Sequence, residues 1–501
     1  MMITSTPASA ARTMLAPRLE ISRIVTGLWQ VADLERGGAA LDRDKAARAL
    51  AEYAAAGFDT FDMADHYGSA ELITGRFLDT WRASANRRET DRVPRAFTKW
   101  CPAPGPMTRD VVQAGVQARL DRLGVGKLDL LQFHWWTFDH PQYLDALVEL
   151  SRLVEAGSIG HLGVTNFDTD HLRIAVKHGV PVITNQVCIS LLDRRAAEDM
   201  SAFCLSHGVK LLAYGTLGGG FLTDRWVGRP EPTAADIPDW SKMKYKRFID
   251  AVGGWNAVQG VLAAASAIAR KHGVSVANVA TRWVLDLPAV AAVIVGARLG
   301  EREHRGDNAR VFSFALDDED RERLDAALSA TARIPGDCGD EYRRPPFLTA
   351  SGDLSHHLSA LPPVYRALPV PGRSGRMRID SGSVWEGVAG FSRAVRIGNR
   401  IVVSGTTATH GSGEVVCPGD PAAQTTYALD KIKAAIAALG GSLEDVVRTR
   451  IYVRQAGDWE PIARAHGRFF GETRPANTLI AAGGLVGDYE VEIEAEAELE
   501  G

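Results

Sequence analysis

Cysteine is scarce: the chain has five in 501 residues (Cys101, Cys188, Cys204, Cys338 and Cys417), with no C-x-x-C pair and no spacing typical of zinc. A reduced, cytoplasmic setting without a metal is the expectation. Long apolar runs are missing too. The longest, 261–269 and 289–295, reach half the length of a membrane span, and residues 1–20 carry no apolar signal core. Surplus charge is also absent, since 57 Lys plus Arg against 61 Asp plus Glu leaves a formal −4. Nucleic acid and anionic membrane are therefore not expected partners. What remains, 46% hydrophobic and 24% charged residues, is ordinary globular composition, and the length predicts two or three domains.

Short β-branched runs alternate with helix-period segments from residue 24 to about 328. The strand runs are 24–28, 58–62, 95–99, 128–133, 160–164, 182–186, 209–213 and 291–295. Eight such units predict a closed (β/α)8 TIM barrel, an α/β fold, over residues 18–330 rather than an open doubly wound sheet. Residues 331–378 read as a proline-rich linker containing Pro335, Pro345, Pro346, Pro362, Pro363, Pro369 and Pro371, with a short amphipathic piece at 354–361. Residues 379–501 read as a compact α+β domain: strands at 395–404, 446–453, 479–482 and 489–500, and helices at 421–439 and 460–470. The terminal YEVEIEAEAELE alternates with period two, which predicts a strand and not an acidic tail.

Chemistry in such a barrel sits at the C-terminal ends of the strands. There the sequence puts Asp62 with Tyr67 beyond it, Lys99, His134, Thr165 and Asn166, Gln186, and Tyr214 followed by a glycine-rich stretch. A tyrosine is a poor acid at neutral pH, and a neighbouring ammonium stabilises its phenolate. Lys99 is positioned for that role, Asp62 would orient Lys99, and a neutral His134 would donate to a substrate carbonyl. The set suits carbonyl reduction by a hydride carrier. Gly124-Val125-Gly126-Lys127 lacks the spacing and the Ser or Thr of a phosphate loop.

The motifs GFDTFDMADHYG, FTKW, LDLLQFHWW, IGHLGVTNF, TNQV and LLAYGTLGGGFL resemble the aldo-keto reductase family across residues 18–330. The resemblance implies Tyr67 as general acid, Lys99 and Asp62 as its modulators, and His134 as the carbonyl-orienting residue. It also implies a nicotinamide carboxamide held by Asn166 and Gln186 beside Thr165, and a ring stacked on Tyr214. The pyrophosphate would follow 215–222, including Gly215, Leu217 and Gly219. Where many members carry Lys-Ser, this chain has Gly296-Ala297 in VGARLGEREHRGDN, a stretch that supplies Arg298, Arg302, Arg305 and Asn308. Guanidinium groups bind a 2′-phosphate bidentately, so NADPH is expected, with NADH the alternative. Trp29, Trp100, Trp135 and Trp136 follow strand ends and are candidates for an aromatic substrate pocket, and the insert 221–256 is a candidate lid.

The C-terminal runs GFSRAVRIGNRIVVSGTTA, QTTYALDKIKAAIAALGGSLEDVVRTRIYV and RPANTLIAAGGLVGDYEVEIEAEAEL resemble the Rid family of small trimeric enamine and imine deaminases, a chorismate-mutase-like α+β fold. The resemblance implies a homotrimer. The family's carboxylate-gripping arginine is matched by Asn477 and a family tyrosine by Phe391, while the water-activating glutamate is kept as Glu492. The expectation is an NADPH-dependent reductase of small carbonyl compounds whose second domain trimerises or binds a small ligand. The alternatives are a bifunctional enzyme whose second domain hydrolyses an imine to the carbonyl that the barrel reduces, a sugar or alcohol dehydrogenase, and a non-catalytic nucleotide sensor or scaffold.

Overall fold

The computed structural model describes residues 11–31, 41–84, 92–237, 240–301, 304–344, 361–411 and 413–500. A hairpin, β1 (Arg12–Ala16) and β2 (Leu19–Ser22), precedes eight parallel strands. These are β3 (Ile24–Gly27), β4 (Thr60–Asp62), β5 (Arg95–Trp100), β6 (Leu130–His134), β7 (Leu162–Thr165), β8 (Val182–Cys188), β9 (Lys210–Tyr214) and β10 (Val290–Gly296). They close in the order β10-β3-β4-β5-β6-β7-β8-β9, and every strand falls on a run that periodicity picks out. Both faces of such strands are covered, so they read as continuous apolar runs. Leu15, Leu19 and Ile21 of the hairpin cluster with Val25, Phe97, Leu130 and Leu212 inside the barrel. Arg12 Nη1 donates to both oxygens of Asp59 at 3.0 Å, tying the hairpin to the start of β4. The N-terminal end is thereby sealed, and the C-terminal rim is left for chemistry.

The C-terminal sheet runs β11-β12-β13-β14-β17-β15-β16, with β11 at Ala367–Pro369, β12 at Arg376–Ile379, β13 at Ala394–Ile397 and β14 at Arg400–Thr407. β15 is Val446–Val453, β16 is Ala476–Ala481 and β17 is Val491–Glu498. The run expected as one strand at 395–404 is two, because Gly398 at φ +60° turns the chain into a hairpin. Helices Pro421–Ala438 and Trp459–Phe470 cover one face of the sheet; Ile493, Ala495 and Ala497 of β17 point into that core.

The linker reading of 331–378 does not match the structure. Described residues on either side of 345–360 are folded into the two domains: Cys338, Asp340 and Glu341 are buried at the barrel rim, and β11 and β12 extend the C-terminal sheet. The amphipathic piece lies almost wholly outside the described residues.

Helix Pro421–Ala438 is buried on nearly every side, which only a helix enclosed between two layers sustains. One side meets the C-terminal sheet and the other meets barrel helix Thr169–Lys177. At that seam His171 sits between two buried carboxylates, with Nδ1 2.7 Å from Asp168 Oδ1 and Nε2 3.0 Å from Asp430 Oδ2. Arg173 Nη1 donates to Asp420 at 3.1 Å, and Lys433 Nζ lies 2.5 Å from Asp139. A cavity of 490 Å³ remains beside the seam, walled by Asp168, Asp170, Arg195, Asp337, Thr426 and Arg468.

Burial opposes charge on His171, but Asp168 and Asp430 outweigh it and push its pKa up to about 10 from 6.5. A pKa raised by folding contributes stability that is complete below about pH 6.5 and lost as pH climbs through 10. Domain docking is therefore expected to weaken in the alkaline range. His171→Ala leaves two buried carboxylates without their cation and is expected to cost about 3–5 kcal/mol in urea unfolding, with the two domains melting separately. An unchanged, single transition would show that the seam does not hold the domains.

Candidate active site

Four barrel strands deliver one polar layer. Asp62 ends β4, and its carboxylate receives Lys99 Nζ from β5 at 2.6 Å, Gln132 Nε2 from β6 at 2.9 Å and Gln186 Nε2 from β8 at 2.8 Å. Gln186 Nε2 also donates to Gln132 Oε1 at 2.9 Å, so both its N–H groups are engaged. Asp62 and Lys99 are 3% and 2% exposed, which makes this a buried ion pair whose spare lone pairs are satisfied by amides.

Tyr67 stands over the pair, with its ring centroid 5.1 Å from Lys99 Nζ. The structure corrects one expectation here. The Tyr67 pKa is raised well above 10, first by burial and then by the Asp62 charge, and these outweigh the Lys99 ammonium, which is bonded to Asp62. Tyr67 is thus held as the protonated phenol. His134 ends β6 and its pKa is pushed well below 6.5 by burial and by Arg343, His66 and Lys99, so it is the neutral imidazole expected. Its Nδ1 lies 3.7 Å from Cys101 Sγ and its Nε2 3.4 Å from Asn166 Nδ2.

Of the tryptophans expected in a substrate pocket, Trp29 is at the site, edge-on to Tyr67 at 4.9 Å. Trp100 and Trp135 are not. Trp100 packs against helix residue Gly115, where a Cβ would meet its ring at 2.4 Å, and against Phe133. Trp135 is fully buried, stacks on Phe133 and donates to His140 O at 2.9 Å. Trp136, the fourth candidate, is at the site as well, 4.2 Å from the His134 ring, and His66 closes the wall 4.9 Å from Tyr67.

Thr165 ends β7 and Asn166 follows it at φ +56°, a conformation that asparagine tolerates. Tyr214 ends β9, and the loop after it carries Gly215, Gly218, Gly219 and Gly220 at positive φ. Tyr245 of helix Trp240–Ala251, within the insert expected as a lid, packs so closely on Gly215 that a Cβ there would meet its hydroxyl at 2.3 Å. The hydroxyls of Thr165 and Thr216 are buried and make no hydrogen bond among the described residues. Two orphaned hydroxyls beside a glycine loop fit a polar cofactor in this cleft. Arg298 follows β10 and donates to Gln30 Oε1 at 3.4 Å, and Asn308 lies on the short helix Arg305–Ala309. Arg302 is outside the described residues.

Sequence reasoning misses the segment Gly339–Arg343, which enters the rim. Glu341 is fully buried; Tyr214 Oη donates to its Oε1 at 2.7 Å, and Arg195 Nη2 lies 2.8 Å from its Oε2. Burial works against its charge, but Arg195 and Lys244 hold the carboxyl down at about 2. Tyr342 faces His134 at 5.5 Å and accepts from Lys244 Nζ at 3.1 Å. Arg343 Nη2 donates to the carbonyls of Asn166 and Trp135 at 2.7 and 3.0 Å. Gly339, at φ +86°, lies so near the Asn166 carbonyl that a Cβ would stand 2.2 Å from it. A glycine and a charged run after a proline are the only sequence signals for this segment, and both also describe a linker.

In the second domain Glu492 sits on β17 opposite Thr407 and Tyr452, and Asn477 sits on β16 opposite Thr449, to whose hydroxyl it donates at 2.9 Å. Within one chain the two are separated by three positions of register along β15. Phe391 lies 5.8 Å from the buried Arg393 guanidinium, whose charge partly offsets the upward push of burial on the Glu492 carboxyl.

The family described as "Aldo/keto reductase family" matches residues 23–329, and "Endoribonuclease L-PSP", the Rid group, matches residues 384–499. The chain belongs to the aldo/keto reductase family and carries a Rid-family domain behind it. An uncharacterized protein of Streptomyces coelicolor is 40% identical over 124 residues, 24% of this chain and 89% of that protein. The flagellar radial spoke protein 5 of Chlamydomonas reinhardtii is 33% identical over 177 residues, and the chain spans about a third of its length (33%, against 32% of this chain). The glycerol dehydrogenase of Gluconobacter oxydans shares the barrel fold, with a TM-score of 0.52 at 23% identity, covering 66% of this chain and 98% of that one.

Proposed function

We propose that the protein reduces small carbonyl compounds to alcohols with NADPH in its barrel and assembles as a homotrimer through its Rid-type domain. The observation that carries the first part is the buried Asp62–Lys99 pair beneath Tyr67, with neutral His134 alongside. A bound nicotinamide supplies the hydride. Thr165, Asn166, Gln186 and Tyr214 would hold its ring end, the loop 215–222 its pyrophosphate, and Arg298, Arg302 and Asn308 its adenosine phosphate. Because Gln186 Nε2 is engaged, its Oε1 is the atom left for a carboxamide.

In the reaction Tyr67 gives its phenol proton to the carbonyl oxygen as the carbon receives the hydride. His134, being neutral, holds that oxygen through Nε2–H without competing for the proton. Lys99 then stabilises the phenolate left on Tyr67, and Asp62 keeps the ammonium in place. Trp29, His66, Trp136 and Tyr342 shield the step from water. The oxidising direction uses the same residues in reverse.

The assembly reading is supported by an uncovered sheet face. Both helices and the barrel lie on one side of the C-terminal sheet, and Val402 and Ile480 are 42% and 49% exposed. Asn477, in place of an arginine, removes the bidentate grip on a substrate carboxylate.

Tyr67→Phe is expected to lower NADPH-dependent turnover of aldehydes and ketones by about 10²–10⁴-fold with cofactor binding intact; equal turnover would sink the acid assignment. Wild type is expected to bind NADPH more tightly than NADH, and Arg298→Ala to narrow the ratio; equal affinities in the wild type would remove the NADPH preference. Light scattering is expected to give three times the 54.0 kDa chain mass. Imine hydrolysis that disappears in Glu492→Ala would instead make the second domain an enzyme.

A further inference from the structure

The 490 Å³ cavity beside the domain seam has the size that small-molecule sites occupy, and none of its lining residues belongs to the set of Asp62, Tyr67, Lys99 and His134. Both domains build it. From the barrel side come Asp168 and Asp170, at the start of helix Thr169–Lys177, and Asp337 and Asp340 of the stretch that follows the barrel. The C-terminal domain adds Thr426 of helix Pro421–Ala438 and Arg468 of helix Trp459–Phe470. Buried Leu192 and Ile334 and half-buried Phe469 supply an apolar wall, and the exposed pair Arg333–Glu198 marks the mouth.

The carboxylates of this wall outnumber the cations left to serve them. Arg195 is committed elsewhere, 2.7 Å from the Asp193 carboxylate and 2.8 Å from that of Glu341. Arg333 pairs with Glu198, and Arg194 lies in the field of the same two groups and donates to Thr331 Oγ1 at 2.9 Å. His171 divides its charge between Asp168 and Asp430. Arg468 remains for two carboxylates at once, 2.8 Å from Asp170 and 3.5 Å from Asp337. Asp340 Oδ2 accepts from the Asp337 N–H at 2.9 Å, but its Oδ1 faces only Arg344 Nε at 3.6 Å, beyond hydrogen-bond length, on a side chain that is 67% exposed. The shortage shows in their titration, since burial pushes the carboxyls of Asp337 and Asp340 up and that of Asp170 to about 6.

Thr426 is an observation independent of charge. It is 1% exposed and lines the cavity, yet its hydroxyl makes no hydrogen bond among the described residues. A helical threonine commonly returns its hydroxyl to the carbonyl one turn back, as the adjacent Thr425 does to Pro421 O at 2.7 Å. A buried hydroxyl left without a partner beside a cavity is satisfied by what the cavity holds.

We propose that this cavity is a second small-molecule site, which takes a primary amine with an apolar body. An ammonium carries three donors and no acceptor, which matches the oxygens of Asp170, Asp337, Asp340 and Thr426. It also supplies the positive charge that the wall lacks, and its apolar body lies against Leu192, Ile334 and Phe469. A carboxylate ligand would instead meet buried carboxylates, and a neutral alcohol would leave them unserved. The site takes residues from both domains and is complete only when they are docked. It does not depend on the reductase reading.

The test is isothermal titration of the full chain with 2-phenylethylamine, and with 2-phenylethanol and 3-phenylpropionate, which resemble it in shape without the positive charge. One equivalent of the amine is expected to bind in the millimolar range or tighter, and each of the other two at least about tenfold more weakly. Asp340→Asn, which keeps an oxygen to accept from the Asp337 N–H, is expected to weaken amine binding about tenfold. Thr426→Val, close in shape to the native side chain, is expected to weaken it about threefold to tenfold. No amine binding by the wild type, equally tight binding of either analogue, or unchanged amine affinity in Asp340→Asn or Thr426→Val would each overturn the site. The two variants also separate this cavity from the aromatic wall of the barrel rim, where an amine bound adventitiously would be insensitive to both.

Discussion

The Asp62 carboxylate is the constraint that the rest of the barrel rim answers to. A charge this deep is tolerable only if its oxygens are saturated, and three donors from three other strands saturate them. Satisfying Asp62 therefore fixes the relative heights of β4, β5, β6 and β8 and holds Lys99 under Tyr67. It also accounts for the state of Tyr67. With Lys99 bonded to Asp62, burial and the carboxylate dominate, and the phenol keeps its proton until a substrate oxygen can take it. Burial keeps the proton on the phenol, while the Lys99 ammonium 5.1 Å from the ring favours the phenolate as it forms. Stabilisation realised only as charge develops is what accelerates a reaction.

A second constraint is set by helix Pro421–Ala438, which has apolar and small residues on nearly every face and so requires two partners. The C-terminal sheet supplies one and the barrel helix Thr169–Lys177 the other, so the domains are docked rather than tethered. The chain between them is drawn into the same arrangement. Asp337 accepts from the Thr169 backbone N–H at 2.9 Å and lies 3.5 Å from Arg468 of the second domain. A few residues on, Glu341 and Arg343 bond to Tyr214 and Asn166. One short stretch thus connects the seam to the residues expected to hold the nicotinamide.

Legibility in the sequence depends on the range of the interactions. The eight barrel strands are local events, and so are Asp62, Lys99 and His134, because standing at the end of a strand is visible from periodicity alone. Their motifs make the family legible too. Trp100 and Trp135 are misplaced by sequence reasoning because alternation decides which side of a strand a residue faces, and in a parallel barrel both sides are apolar. Trp136, one residue on, has the opposite outlook and reaches the site. The Gly339–Arg343 segment reads as linker because prolines and charges carry no period, and what orders it is contact with residues more than a hundred positions away. The seam at His171, Asp168 and Asp430 has the same cause, since a histidine on a helix shows nothing of a carboxylate 259 residues later.

The two domains bear on chemistry unequally. In the barrel, every residue that the reductase reading needs among the described ones stands at one rim. In the second domain, Asn477 and Glu492 are three register positions apart on strands separated by β15, and Asn477 is bonded to Thr449 within its own chain. Three positions along an alternating strand put the two side chains on opposite faces, Asn477 toward the helices with buried Thr449 and Glu492 away from them. Docking the barrel on the helical side leaves the other face of the C-terminal sheet uncovered among the described residues, and of the two positions only Glu492 looks toward it.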